Sequence, residues 1–132
     1  MRYLPIVLVA MISVLPTARA EDVCDGINQW EMNMCAASKF EKADKAMNER
    51  YVKLMRRLDP GDQVKLRQAQ VAWIAYRKKW CEFETNGLGS VRPTIFAGCL
   101  ERLTEDHIKY LDYQLTCKEG DLSCKVWSND KN

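Results

Sequence analysis

The sequence predicts an all-α fold, an antiparallel three-helix bundle stapled by disulfides. Three observations carry that expectation. Apolar residues recur at steps of three and four along three segments, Pro and Gly fall between those segments, and six cysteines follow a removable leader.

The leader is residues 1–20. Arg2 gives a short positive start, Leu4 to Leu15 is an almost unbroken apolar run, and Ala18-Arg19-Ala20 has the small-x-small form of a signal-peptidase site. The run falls short of the roughly 20 apolar residues needed to cross a bilayer. Cleavage after Ala20 leaves about 110 residues, enough for one domain with a modest core. That domain covers 21–132, with a core over 24–117 and a tail over 118–132. No membrane anchor is expected, because a lipoprotein signal places a cysteine at the cleavage point and Cys24 lies four residues beyond it.

The chain carries 20 Lys and Arg against 18 Asp and Glu. Arg2 and Arg19 leave with the leader, so the exported part is balanced. A balanced charge offers no electrostatic footprint for nucleic acid and no polybasic membrane patch. Its expected localisation is periplasmic or secreted. In such an oxidising compartment Cys24, Cys35, Cys81, Cys99, Cys117 and Cys124 read as three disulfides. Spacing alone does not choose among the pairings that six cysteines permit. The expected set is Cys24–Cys35, Cys81–Cys99 and Cys117–Cys124, against an alternative in which Cys24–Cys117 ties the termini together.

The first helix begins near Asn28. Asn33, Ala37, Phe40, Asp44, Met47, Tyr51, Leu54 and Leu58 form its apolar row, and Asp59-Pro60-Gly61 ends it. Asp62 is the expected N-cap of the second helix, which runs to Phe83 or Glu84. On that helix Leu66, Ala69, Trp73, Tyr76 and Trp80 share one face, with Gln70, Ile74, Arg77 and Cys81 beside it. Two tryptophans and a tyrosine on one face predict a central helix whose aromatics fill the core. Thr85 to Pro93 is a turn-rich loop, with Pro93 near the first position of the third helix. Phe96, Cys99 or Leu100, Leu103, His107, Tyr110 or Leu111, and Gln114 or Leu115 make the inner face of that helix, which stops near Cys117.

Asp44 and Arg77 stand in the helix seams and are expected to meet as a buried pair that sets the register. The competing role is an exposed anion or ligand site. His107 is the one histidine in the sequence and has no neighbouring nucleophile, so a hydrogen-bonded position at the core boundary is expected. Glu82 and Glu84 are adjacent helix-end acids, more often solvated than catalytic. Methionines 32, 34, 47 and 55 fall at helical spacing and read as core filler. The sequence contains no HExxH, P-loop, GxSxG or dinucleotide fingerprint. The expected protein is therefore not an enzyme, with no catalytic residues, no cofactor and no metal.

Gln29-x-x-Met32-Asn33-x-Cys35-Ala36 is followed by Ala43-Asp44-x-x-Met47-Asn48-x-x-Tyr51-x-x-Leu54. Then comes Ala69-Gln70-x-Ala72-Trp73-Ile74-x-Tyr76-Arg77-x-x-x-Cys81. These strings, with Gly89-Ser90, Cys99 and Leu103-Thr104 in order after them, resemble the LprI-like lysozyme-inhibitor domain over about residues 24–115. His107 departs from it, standing where the family more often has an arginine. The resemblance implies a small exported helical protein that binds a lysozyme or related glycosidase.

A lysozyme cleft holds two carboxylates that act on the sugar bond, and hydroxyl and guanidinium donors pair with carboxylates. The loop Asn86–Arg92 therefore offers Ser90 and Arg92 as candidate binding residues, against the alternative that it is a passive connection. A different class of function is an envelope immunity or accessory module for another wall-active or toxic partner, contacted through the helix faces.

Overall fold

The computed structural model describes residues 24–126. The leader at 1–20 and the end of the tail lie outside them. Three helices follow one another, α1 (Gln29–Met55), α2 (Pro60–Glu84) and α3 (Arg92–Thr116), with a 3-10 turn at Gly89–Val91 ahead of α3.

Each helix end has a local cause. Asn28 caps α1 through a capping box, its side chain accepting from the Glu31 amide while its own amide donates to Glu31 Oε2. α2 starts earlier than expected. Asp59, not Asp62, is its N-cap, and Pro60 occupies the first turn, where a missing N–H costs nothing. Gln63 Nε2 donates to the carbonyls of Met55 and Leu58, so a side chain of α2 satisfies the frayed end of α1.

The helices run up, down and up. Gln29 and Asn33 meet Thr94 at one end of the α1–α3 pair, while Arg50 pairs with Asp112 near the other. α1 and α3 are therefore parallel, and α2 is antiparallel to both. The apolar core lies between α1 and α3 and contains Met47, Leu54, Leu111 and Leu115, with Tyr51, Leu58, Leu66, Trp73 and Ile108 packed around it. Beyond α3 the tail turns back. Gln114 bonds to the backbone of Ser123 and Lys125, the Cys117–Cys124 disulfide closes the turn, and Val126 enters the core.

The expectation of a central α2 is corrected. The close helix–helix contact is α1 on α3, and α2 leans on α3 at fewer points. Tyr76, Trp80 and Phe83 are 52%, 41% and 72% exposed, and Ala69, Ile74 and Tyr110 also face solvent. The buried residues of α2 are Gln70, Arg77 and Cys81, the row beside the aromatic one. Met47 is core filler as expected, whereas Met32 and Met34 lie exposed on the first turns of α1.

Candidate functional site

Two polar assemblies join the helices, and an exposed loop caps one end of the bundle. In the first assembly Arg77 Nη1 donates to Asp44 Oδ1 at 2.8 Å and to Thr104 Oγ1 at 2.6 Å. One nitrogen thus links α2 to both other helices. The guanidinium carbon sits 5.0 Å from the ring centroids of both Phe40 and Trp73, so the cation is held between two aromatic faces. Its Nε is buried without a hydrogen-bond partner. That enclosure favours an internal strut over a docking point for a soluble anion.

The second assembly surrounds His107. Its ring stacks on Trp73 at 3.9 Å with 12° between the planes, and Nε2 lies 2.8 Å from Gln70 Oε1. Gln70 Nε2 in turn reaches Met47 Sδ. Burial, reinforced by the nearby Arg77 charge, holds the imidazole below its ordinary 6.5. No nucleophile touches it among the described residues, so its place is that of a packed, hydrogen-bonded histidine.

The acids Glu82 and Glu84 do not work as a pair. Glu82 is engaged by Lys78 and Lys79, whereas Glu84 accepts from Trp80 Nε1 at 2.7 Å and from Arg102 Nη2 at 2.8 Å. At the tail, Cys117, Asp121 and Cys124 lie together, but the two cysteines share a disulfide and offer no thiolates. Hydrogen bonds from Ser123 and Tyr113 hold the Asp121 carboxyl below its usual range.

The loop between α2 and α3 is fixed from below. Thr85 is fully buried and donates through Oγ1 to the Cys81 carbonyl, while Cys81 itself is bonded to Cys99 of α3. Gly87 and Gly89 take positive φ of 81° and 62°, which lets the chain reverse within a few residues. Above that base Ser90 and Arg92 are exposed. Neither side chain has a hydrogen bond or ion pair among the described residues. Arg92 lies over the Phe96 ring at 5.4 Å. The other disulfide, Cys24–Cys35, staples the leading segment to α1.

Sequence reasoning missed three features here. Thr104 as the second acceptor for Arg77, and Gln70 as partner of His107, carried no local signal, because each contact spans about thirty residues or more. Trp80 and Glu84 were four residues apart on one helix, the spacing at which side chains meet, so that bond was there to be found.

Three helices stapled by three disulfides thus present an exposed loop whose base is held by Cys81–Cys99 and by buried Thr85. The chain belongs to the lysozyme inhibitor LprI family, whose model matches residues 23–111. It is also 34% identical to an uncharacterized protein of Rhizobium meliloti (strain 1021), across 63% of this chain and 70% of that one. No solved structure matches it.

Proposed function

We propose that this protein is an exported inhibitor of a lysozyme-type peptidoglycan hydrolase, acting by occupation of the enzyme's cleft rather than by chemistry of its own. Membership of the lysozyme inhibitor family carries this reading. Three features support it. The disulfides suit an oxidising compartment. No described helix is long and apolar enough to cross a membrane. The loop Asn86–Arg92 is stiff before any partner arrives, because Cys81–Cys99 and buried Thr85 hold its base. A preformed loop loses little conformational entropy on docking, so more of its contact energy is left for affinity.

Where that loop enters α3, Arg92, the first residue of the helix, is the residue we assign to the catalytic carboxylates, with Ser90 as a neutral donor beside it. A guanidinium without a carboxylate of its own is complementary to a cleft that holds two. The test is lysis of cell-wall substrate by animal, plant and phage lysozymes with the purified protein present. Inhibition of at least one type is expected. Full lysis by all of them at micromolar excess of the protein would dismiss the reading, and a pull-down from periplasmic extract would then look for another wall-active partner.

A further inference from the structure

The face of α2 that the bundle leaves uncovered carries an aromatic row. Tyr76, Trp80 and Phe83 are all exposed, and their rings touch in sequence at 6.0 Å and 5.6 Å between centroids. Row and loop lie at the same end of α2, since Phe83 is in its last turn, and Leu88 and Val91 of the loop that follows are exposed as well. An apolar surface of this kind marks an interaction site more often than it marks an accident of folding.

Two further observations say what covers it. First, the row is built to hold its shape. Trp80 donates to Glu84, and Arg102 of α3 grips both oxygens of the same carboxylate at 2.8 Å and 3.0 Å. A solvent-facing tryptophan held in one rotamer by a carboxylate that is itself held is a preorganised anchor. Second, the charge beside the row is one-sided. Lys78 and Lys79 share Glu82 and Arg102 holds Glu84, so three cations face two acids there, and Arg92 adds a further cation with no carboxylate partner among the described residues. Tryptophan, tyrosine and arginine are the residues that dominate binding hot spots.

We infer that Tyr76, Trp80 and Phe83 form a ledge that packs on the apolar wall of a glycosidase cleft while Arg92 enters its acidic floor. This rests on the inhibitor reading above and extends it from a loop to a two-part surface. Sugar-binding clefts join apolar and aromatic walls to a few placed polar groups, which is the complement of this ledge and its arginine. Glu84 and Arg102 are positioning residues that act through Trp80.

The experiment is calorimetric titration of the protein against the same animal, plant and phage lysozymes, with melting temperature recorded for each variant. Phe83→Ser and Tyr76→Ser are expected to weaken binding by about tenfold or more without lowering the melting temperature, because both side chains are solvated. Tyr110→Ser, equally exposed on α3, is expected to bind like the parent. Glu84→Ala is expected to weaken binding and loosen Trp80, read as a drop in indole fluorescence anisotropy, and Glu84→Gln to restore both. A chitin oligosaccharide that fills the cleft is expected to abolish binding. Parent-like affinity in Phe83→Ser and Tyr76→Ser, with loss in Arg92→Ala, overturns the ledge and leaves the loop reading standing. Binding that persists in a filled cleft overturns it too. No binding by the parent to any lysozyme overturns the ledge and the inhibitor reading together.

Discussion

Arg77 reaches Asp44 across the α1–α2 seam at 2.8 Å, yet the two are unequally buried, with 9% of the Arg77 side chain and 33% of the Asp44 side chain exposed. The asymmetry decides what each deletion does. Removing Asp44 leaves a buried guanidinium with one neutral acceptor, whereas removing Arg77 leaves a carboxylate that water still reaches. Arg77→Ala should nonetheless cost about 3 kcal/mol, because its stem and guanidinium also fill the gap between Phe40 and Trp73. Asp44→Asn combined with Arg77→Gln should cost less than the two single changes summed. Urea denaturation of the four proteins measures this, and additive losses would show that the residues act independently.

Thr104 is the second acceptor for Arg77, and its own hydroxyl donates a hydrogen bond to the Leu100 carbonyl. Thr104→Val keeps the shape and removes the oxygen. It should cost about 1–3 kcal/mol, since it withdraws a partner from a buried charged donor. Thr104→Ser keeps the hydroxyl and should lose roughly a methyl group's worth of burial, about 1 kcal/mol. Equal losses in the two variants would mean that the hydroxyl contributes nothing.

Stability should depend on pH through His107. Burial and Arg77 keep its folded pKa below the ordinary 6.5, so the unfolded chain takes up the proton more readily. The unfolded state binds more protons in that range, and stability therefore rises with pH there. The contribution is fully present above about pH 6.5 and is lost as pH falls through the lower, folded value. Urea midpoints at pH 5 and pH 7.5 should differ more in the parent than in His107→Gln. The same difference in both would assign the effect to other groups.

Two glycines should respond to alanine with opposite signs. Gly98 sits inside α3, and a Cβ there meets nothing within 4 Å, so Gly98→Ala should stabilise by about 0.5–1 kcal/mol through helix propensity. Gly87 has equally open surroundings but a φ of 81°, and Gly87→Ala should cost about 1–2 kcal/mol in backbone strain. Thermal melts of the two variants read the contrast directly.

How much of this was legible beforehand varies from residue to residue, for physical reasons. The three disulfides match the expected set, though spacing alone did not choose it. The meeting of Asp44 with Arg77 was in reach, because a charged residue in an apolar row has few places to go other than toward an opposite charge. The stop at Asp59-Pro60-Gly61 was equally plain, and only the choice of cap was off by three residues. The face of α2 was not legible. Its aromatic row and its Gln70–Arg77–Cys81 row lie side by side, and hydrophobicity favoured the aromatic one as the inner face. The bundle buries the polar row most deeply and keeps only Leu66 and Trp73 of the other at the edge of the core, since α1 and α3 already share an apolar core and α2 is drawn in by Arg77, Gln70 and the Cys81 disulfide. Periodicity locates a stripe and cannot say whether it meets the same molecule or another.

Arg92 and Ser90 are exposed where the loop meets α3. Both lie outside the helical seams, so they should contribute to binding and little to folding. Arg92→Ala should leave the melting temperature nearly unchanged, as surface substitutions usually move stability by less than about 0.5 kcal/mol. Lost cation–π contact with Phe96 fits inside that margin, because the pair is exposed. Inhibition should weaken by about 2 kcal/mol or more, the scale of an anchor at a binding hot spot. Ser90→Ala should weaken it less, since it removes one neutral donor. Reduction of Cys81–Cys99 should also weaken inhibition, by freeing the base of the loop while Arg77 and the α1–α3 core still hold the helices. Lysis assays against an inhibited lysozyme, run beside thermal melts, separate these effects. An Arg92→Ala protein with full potency and unchanged stability would move the binding surface off this loop and onto the exposed faces of the helices.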